Sequence, residues 1–421
     1  MAHVTGGKPE NLETGLVLRI LALALGMFAI GTDSFVVAGI LPSVARDLDV
    51  SVSTSARLIT AYALAYAILS PVIATFAARV PRKLLLLTGL GVFIAGNIGT
   101  GLSQTYEVAM AFRVVAALGG AIYTPTAAGA VVGLAPTEKR ATALSILFGG
   151  LSAATALGTP IGTWISGYTD WRGTMYFVAA VGLAGVIAVL VSLRAVPAPP
   201  PVRLRQRLSP LTDVRIGLTL ALVLVAYCGL FILYTYISQV FAPATGRDTT
   251  TLAWLLFAFG AAATVGNLAG GRLTDRFGNH IVINTAGIVA VAVFATTPWT
   301  NRHLATAVVA MSIWGVCGWA MLVPIQDRLV GARPAAAQLS ISLVSSANYI
   351  GVSLAPVVGG FLLDHGVSAG RLGLPAAGIV AVGLVIGEIG YVLIRRDQAR
   401  PHAAPVALST DGRSSDAPAN R

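Results

Sequence analysis

Apolar runs of twenty residues or more, separated by short polar turns, recur along the whole chain. A helix needs about 20 apolar residues to cross a bilayer. The pattern predicts twelve spans, at roughly 16–40, 54–78, 84–103, 106–134, 139–167, 172–194, 214–240, 250–274, 281–299, 303–330, 335–364 and 371–395. The longest polar interruption, 195–213, carries Pro197, Pro199, Pro200, Pro201, Arg203, Arg205 and Arg207. Prolines and arginines at that density predict a linker. The expected fold is therefore an all-α membrane protein of twelve transmembrane helices in two six-helix halves. Residues 1–15 form an amino-terminal tail, 16–194 and 214–395 the two bundles, and 396–421 a polar, disordered tail.

Composition agrees with a chain solvated mainly by lipid. Of 421 residues, 56% are hydrophobic and only 11% charged, against about 25% charged in soluble proteins. The net charge of +11 would suggest nucleic-acid binding on a soluble protein. Membrane topology accounts for it instead. With a cytoplasmic amino terminus and alternating spans, 21 of the 28 Lys and Arg fall in cytoplasmic segments, six in outer segments and one, Arg113, inside a span. The excess of inner positive charge places both termini in the cytoplasm, in a multi-pass protein of the inner (plasma) membrane. No nucleic-acid partner is expected. The first apolar run continues past signal-peptide length, so no cleavable signal is expected.

The two halves resemble each other. The turn after the second span reads Ala74-Thr-Phe-Ala-Ala78-Arg79-Val-Pro81-Arg82-Lys83, and the turn after the eighth reads Gly271-Arg-Leu-Thr-Asp275-Arg276-Phe-Gly278-Asn-His280, 197 residues later. A shift of about the same size carries Pro160 onto Pro356. A parallel repeat of six spans is a transporter architecture. The second turn is similar to the G-x-x-x-D-R-x-G signature of the major facilitator superfamily. Glycine lets helix ends approach, and the acid can pair with basic groups or cap a helix as a latch. The first turn keeps Arg79, Arg82 and Lys83 but has Ala74, Ala78 and Pro81 in place of the glycine, aspartate and glycine. Gating is therefore expected to rest more on Gly271, Asp275, Arg276 and Gly278.

Further residues narrow the resemblance. The first span runs Gly31-Thr32-Asp33-Ser34-Phe35. The fourth carries Arg113 ahead of Leu118-Gly119-Gly120. The fifth carries Gly158-Thr-Pro160-Ile-Gly162-Thr163, followed by Asp170-Trp171-Arg172. Over roughly residues 15–395 the chain resembles the twelve-span drug:proton antiporter branch, whose members include chloramphenicol exporters, arabinose-type sugar efflux proteins and nucleoside efflux permeases. The resemblance implies a secondary active transporter. It would export a small amphipathic compound, a drug or antibiotic such as chloramphenicol, in exchange for protons. The alternative is an exporter of sugars, nucleosides or other metabolites. In that branch the first-span acid couples protons and meets cationic substrate, the fourth-span arginine supports it, and the fifth-span motif marks export.

The residues themselves point the same way. A charge at membrane depth costs about 2.5–3.5 kcal/mol or more, so it is seldom idle. Counted at about 1.5 Å per residue, Asp33 lies about 13 Å inward of Pro42 and Arg113 about 10 Å inward of Tyr106. Similar depth and opposite charge predict that they share one cavity, as a coupling pair or as a structural ion pair. A carboxyl group in apolar surroundings takes up a proton more readily than one in water. Glu388, seven residues before Arg395, is a second acid within a span and is expected to snorkel or pair locally; Glu107 sits at a span edge. Gly158, Pro160 and Gly162 predict a bent, thin helix face serving as a hinge, a seal or plain packing. Phe35, Tyr62, Tyr66, Tyr123, Tyr227, Phe231, Tyr234, Trp314, Asn348 and Tyr349 are candidate cavity residues, because aromatics suit flat or amphipathic ligands; at helical spacing aromatics also pack.

Cys228 and Cys317 lie within apolar runs and predict no disulfide. The sequence has no Walker-type phosphate loop, no nucleophile elbow and no metal-ligand spacing among its five histidines. The expectation is a non-enzymatic protein without cofactor or metal, monomeric, with small-molecule substrate, protons and membrane lipid as partners.

Overall fold

The computed structural model describes residues 14–76, 80–136, 139–193, 212–332 and 337–398. Among these every regular element is helical. Twelve long segments follow one another. They are α1 (Thr14–Asp47), α2 (Val52–Phe76), α3 (Arg82–Leu102), α4 (Tyr106–Leu134), α5 (Arg140–Ala153, a π-helical turn Ala154–Gly158, then Thr159–Tyr168), α6 (Trp171–Ser192), α7 (Val214–Thr235), α8 (Thr249–Phe277), α9 (Asn279–Ala295), α10 (Leu304–Ala320 and Leu322–Ala332), α11 (Ala337–Asp364) and α12 (Gly373–Gln398). Eleven are long and apolar enough to cross a membrane; α9 is a shorter apolar helix, followed after Thr296 by Thr297–Thr300. Helices are what the composition demands, because hydrocarbon offers no partner for an unpaired peptide group. The tails, most of the expected 195–213 linker and Arg79 lie outside the described residues.

The largest departure from the sequence expectation is α1. It continues through Pro42 to Asp47, where the sequence predicts an end near residue 40. A proline forfeits the bond its missing N–H would have made and crowds the carbonyl four residues earlier, and close to a helix end the backbone accommodates both; the Arg46 guanidinium donates to the Pro42 carbonyl at 3.3 Å. The consequence is positional. Asp33 lies about 21 Å from the Asp47 end and about 29 Å from Thr14, at 1.5 Å per residue, and so stands closer to the middle of its helix than a count from Pro42 implies.

Packing relies on small residues, since lipid gives helices no hydrophobic reason to associate. A Cβ on Gly96 would collide with the Ala116 backbone, and one on Gly119 with the Phe93 backbone. These two glycines let α3 and α4 touch along their length. Gly119→Val is expected to cost about 1–3 kcal/mol, as overpacking does, and to lower the detergent melting temperature measured by size-exclusion chromatography after heating. Unchanged melting would refute this account of the α3–α4 contact.

The exterior is greasy: Ile68, Leu183, Ile187, Val191, Leu268 and Val385 are among many large exposed apolar side chains. Trp254, Trp299 and Tyr168 are exposed near helix ends, as expected of an interfacial aromatic belt. Arg172, at the start of α6, ties three elements. It pairs with Asp47 of α1 at 2.5 Å, donates to the Ser103 carbonyl after α3 at 2.9 Å and stacks on Trp171. The indole of Trp171 also donates to Asp47, at 3.1 Å. The Asp170-Trp171-Arg172 segment thus fastens one end of the first half.

Across the halves, α2 packs on α11 and α5 on α8. The Thr60 hydroxyl donates to the Ser353 carbonyl at 2.9 Å, and the Ser53 hydroxyl to Asp364, also at 2.9 Å. Gly260 of α8 abuts the Thr155 carbonyl within the π-helical turn of α5.

Candidate functional site

Asp33 and Arg113 meet. The Arg113 guanidinium donates through Nη1 to Asp33 Oδ1 at 2.5 Å, with both residues buried. The other carboxylate oxygen, Oδ2, has no hydrogen-bond partner among the described residues. Asn97, wholly buried on α3, lies against this carboxylate; one N–H of its amide donates to the Phe93 carbonyl at 3.1 Å. Tyr62 covers the guanidinium, its ring centroid 4.5 Å from Cζ. The result is a neutral, desolvated ion pair with one open acceptor atom. Breaking such a pair by removing one partner costs about 3–5 kcal/mol.

The helix carrying Asp33 is gripped by α5. A Cβ on Gly158 would collide with Thr32, one on Gly162 would crowd Val36 and Thr174, and one on Gly39 would collide with Thr163. The bend expected at Pro160 takes the form of the π-helical turn immediately before it. Insertions of this kind are rare and gather at functional sites. Here the wide turn faces Gly31 of α1 on one side and Gly260 of α8 on the other.

Two residues beyond Asp33, Phe35 points across the interface between halves. It packs on Phe231 (centroids 6.1 Å apart), Tyr234 (5.8 Å) and Trp319 (6.1 Å). Phe259 and Trp314, 4.8 Å apart, extend the cluster. With Tyr227, Leu230, Gly315 and Gly318 these side chains line a cavity holding room for about one water, ≈10 Å³. The box is closed on itself, ring against ring. Its hydrogen-bonding atoms are few. Tyr227 donates to the Gly318 carbonyl at 3.3 Å. The buried hydroxyls of Tyr234 and the neighbouring Thr159 have no partner of good geometry among the described residues. Ring faces alone attract a cation by about 0.5–2 kcal/mol. Burying an unpaired charge costs several kcal/mol, so without a free carboxylate the box favours neutral groups.

The other predicted residues divide. Tyr62, Tyr66 and Tyr349 form a stack that crosses between halves, Tyr66 and Tyr349 lying 4.2 Å apart. Asn348 is half-buried on α11 without a hydrogen bond among the described residues. Tyr123 sits away from the box: its hydroxyl donates to the Leu23 carbonyl at 2.8 Å and its ring fills the space over Gly26. Phe259, Trp319 and Asn97 were missed in the sequence. Asn97 had a signal, as the one amide side chain in its span; an aromatic in an apolar helix has none.

Of the turn residues, Arg82 opens α3 and Lys83 donates to the Leu190 and Leu193 carbonyls that end α6. Gly271 has open space around it. Asp275 and Arg276 are exposed, and Asp275 has no ion pair among the described residues. Gly278 joins α8 to α9 with φ +80°, a left-handed turn that glycine adopts without strain. Glu388 pairs locally, as expected: with His280 at 2.8 Å and with the Asn284 amide at 2.5 Å.

At the end of the bundle bearing the α1–α2 turn, a vestibule of about 720 Å³ opens between the halves. Ser53, Ser166, Ser238, Gln239, Arg46 and Asp364 are among its lining. Asp248, also on its wall, caps α8; the Thr251 hydroxyl and amide hold its carboxyl below the usual range.

Comparison with known proteins follows the same outline. The sequence model of the Major Facilitator Superfamily matches residues 23–337 and 219–410. The uncharacterized MFS-type transporter YtbD of Bacillus subtilis is 29% identical over 379 residues, covering 87% of this chain and 93% of its own length. The inner membrane transport protein YdhP of Escherichia coli K12 is 28% identical, covering 87% and 94%. A chloramphenicol resistance protein of Streptomyces lividans is 29% identical, covering 88% and 95%. Among solved structures, an inward-facing, unoccupied bacterial homologue of the human lysosomal transporter Spinster aligns with a TM-score of 0.70 at 17% identity, over 93% of this chain and all of that one.

Proposed function

Because the chain belongs to the major facilitator superfamily, a family of multi-pass membrane transporters of small molecules, we propose that it is a proton-coupled exporter of a small amphipathic compound, of the drug or antibiotic kind. The observation that carries this reading is the buried Asp33–Arg113 pair with its open Oδ2, on the same helix as the ring that enters the inter-half box. A proton arriving at Oδ2 cancels the carboxylate charge and weakens its hold on Arg113. Helix α1 is then free to shift against α4, and Phe35 shifts with it. Loss of the proton restores the pair. Movement of the halves about the α2–α11 and α5–α8 contacts opens the box to each side in turn. Export is supported by the Gly158-Thr-Pro160-Ile-Gly162 motif and by the likeness to a chloramphenicol resistance protein. The basic bias of the sequence supports an inner-membrane protein with both termini cytoplasmic, acting as a monomer without metal or cofactor.

In this orientation the α8–α9 turn faces the cytoplasm. Asp275→Asn is expected to slow transport several-fold, and to matter more than restoring aspartate at Ala78, because the second copy of the turn keeps the complete signature. Vesicle transport rates for the two variants check this, and the reverse ranking would overturn the assignment of gating to the second copy.

A second reading, export of sugars, nucleosides or other metabolites, draws on the serine-lined vestibule. The two are separated with purified protein in liposomes carrying an internal pH dye. Acid-inside vesicles should lose protons outward on addition of a substrate from a panel of antibiotics, sugars and nucleosides. Proton movement with sugars alone would favour the second reading, and none with any compound would sink coupling altogether.

A further inference from the structure

Resting on the reading of the inter-half box as the substrate site, we infer that it takes an uncharged, planar aromatic compound bearing one polar substituent, and that this compound never touches Asp33.

Three observations converge. The first is the state of the acid. Asp33 is wholly buried, one oxygen is spent on Arg113, and Tyr62 closes over the guanidinium. A substrate ammonium would have to displace Arg113 to reach the carboxylate and would then strand that arginine. The pair cancels its own charge, so nothing in the box offsets a cation. Phe35 and Asp33 also face different ways along α1, one toward the second half and the other toward α4.

The second is spacing. Phe35 lies 6.1 Å from Phe231 at an interplanar angle of 28°. A flat ring sandwiched between two others needs about 7 Å, two contacts of about 3.5 Å each. The rings must part to admit any guest, and faces this close to parallel part to leave a flat slot, which suits a planar one. A tetrahedral onium head needs a far wider opening, in a box that has room for about one water.

The third is polarity. The hydroxyls of Tyr234 and Thr159 are buried beside one another at the edge of the box, neither in a hydrogen bond of good geometry, and buried hydroxyls without one are costly to leave so. A nitro, carbonyl or hydroxyl group on the guest would satisfy them and fix its orientation. Recognition is thereby separated from proton binding: the guest acts on the rings, the proton on Oδ2, and α1 joins the two.

The test is equilibrium binding to the intact protein in detergent, read by quenching of tryptophan fluorescence, since Trp314 and Trp319 line the box. Two matched probes differ in charge, 4-bromobenzyl alcohol and 4-bromobenzylammonium. The alcohol is expected to quench saturably, with the ammonium at least tenfold weaker. Tyr234→Phe should weaken the alcohol about fivefold while leaving 4-bromotoluene, which carries no polar substituent, unchanged. Asp33→Asn should still bind the alcohol saturably, because the guest makes no contact with the carboxylate. Equal or tighter binding of the ammonium, or loss of binding in Asp33→Asn protein whose elution profile is normal, would overturn the inference, as would absence of saturable quenching by the alcohol. Binding without proton movement would remove the coupling reading and leave this one standing; proton movement driven only by cations would do the opposite.

Discussion

Asp33→Asn is expected to abolish transport driven by a pH gradient, by a factor of at least a hundred, while the protein still reaches the membrane and elutes as a single species. Asparagine keeps the shape of aspartate and one acceptor oxygen for Arg113 Nη1. It cannot exchange a proton at the position of Oδ2, so the two states of the pair collapse into one. The expected residue of function is downhill exchange of substrate across the membrane without proton movement. The measurement is counterflow alongside gradient-driven uptake in the same inverted vesicles. Retention of gradient-driven transport would remove Asp33 from coupling and leave it a structural residue holding α1 to α4.

The second large effect concerns stability. Arg113→Met replaces the cation with an apolar side chain and leaves the Asp33 carboxylate buried with no counter-charge. Breaking a buried pair from one side costs about 3–5 kcal/mol. A sharp fall in melting temperature and in the yield of folded protein is expected. Adding Asp33→Asn to Arg113→Met should recover most of the loss, because neither partner is then a lone charge. The comparison is a double-mutant cycle on thermal unfolding in detergent. Additive losses in the double variant would mean that the two residues do not stabilise each other, against their 2.5 Å contact.

Much of the architecture was legible because hydrocarbon imposes a coarse rule. A span must be long and apolar, so α4 and the bodies of the other helices could be read from the runs themselves. Asp33 and Arg113 were legible for the converse reason: charge stands out in an apolar chain, and matched depth suggested the contact. The end of α1 was not, since a proline read as a stop is tolerated in the last turns of a helix, where water serves the freed carbonyls. The π-helical turn left only an indirect trace in Gly158 and Pro160, because one extra residue in a turn has no composition of its own. The aromatic box was half legible. Phe35, Phe231, Tyr234 and Trp314 were candidates on the strength of their side chains, yet Tyr123, equally plausible, proved to fill the space beside Gly26. Which rings converge depends on helix rotation, and an apolar helix buried on most sides carries little periodicity to reveal it.

The 197-residue repeat sets one position in each half against the other. Counted at that interval, the counterpart of Asp33 is Leu230, which lines the aromatic box, and the counterpart of Tyr62, the ring over Arg113, is Phe259, another wall of the box. The duplicated frame thus provides two equivalent berths that have diverged. The first copy furnishes its berth with a salt bridge, the second with a nest of rings.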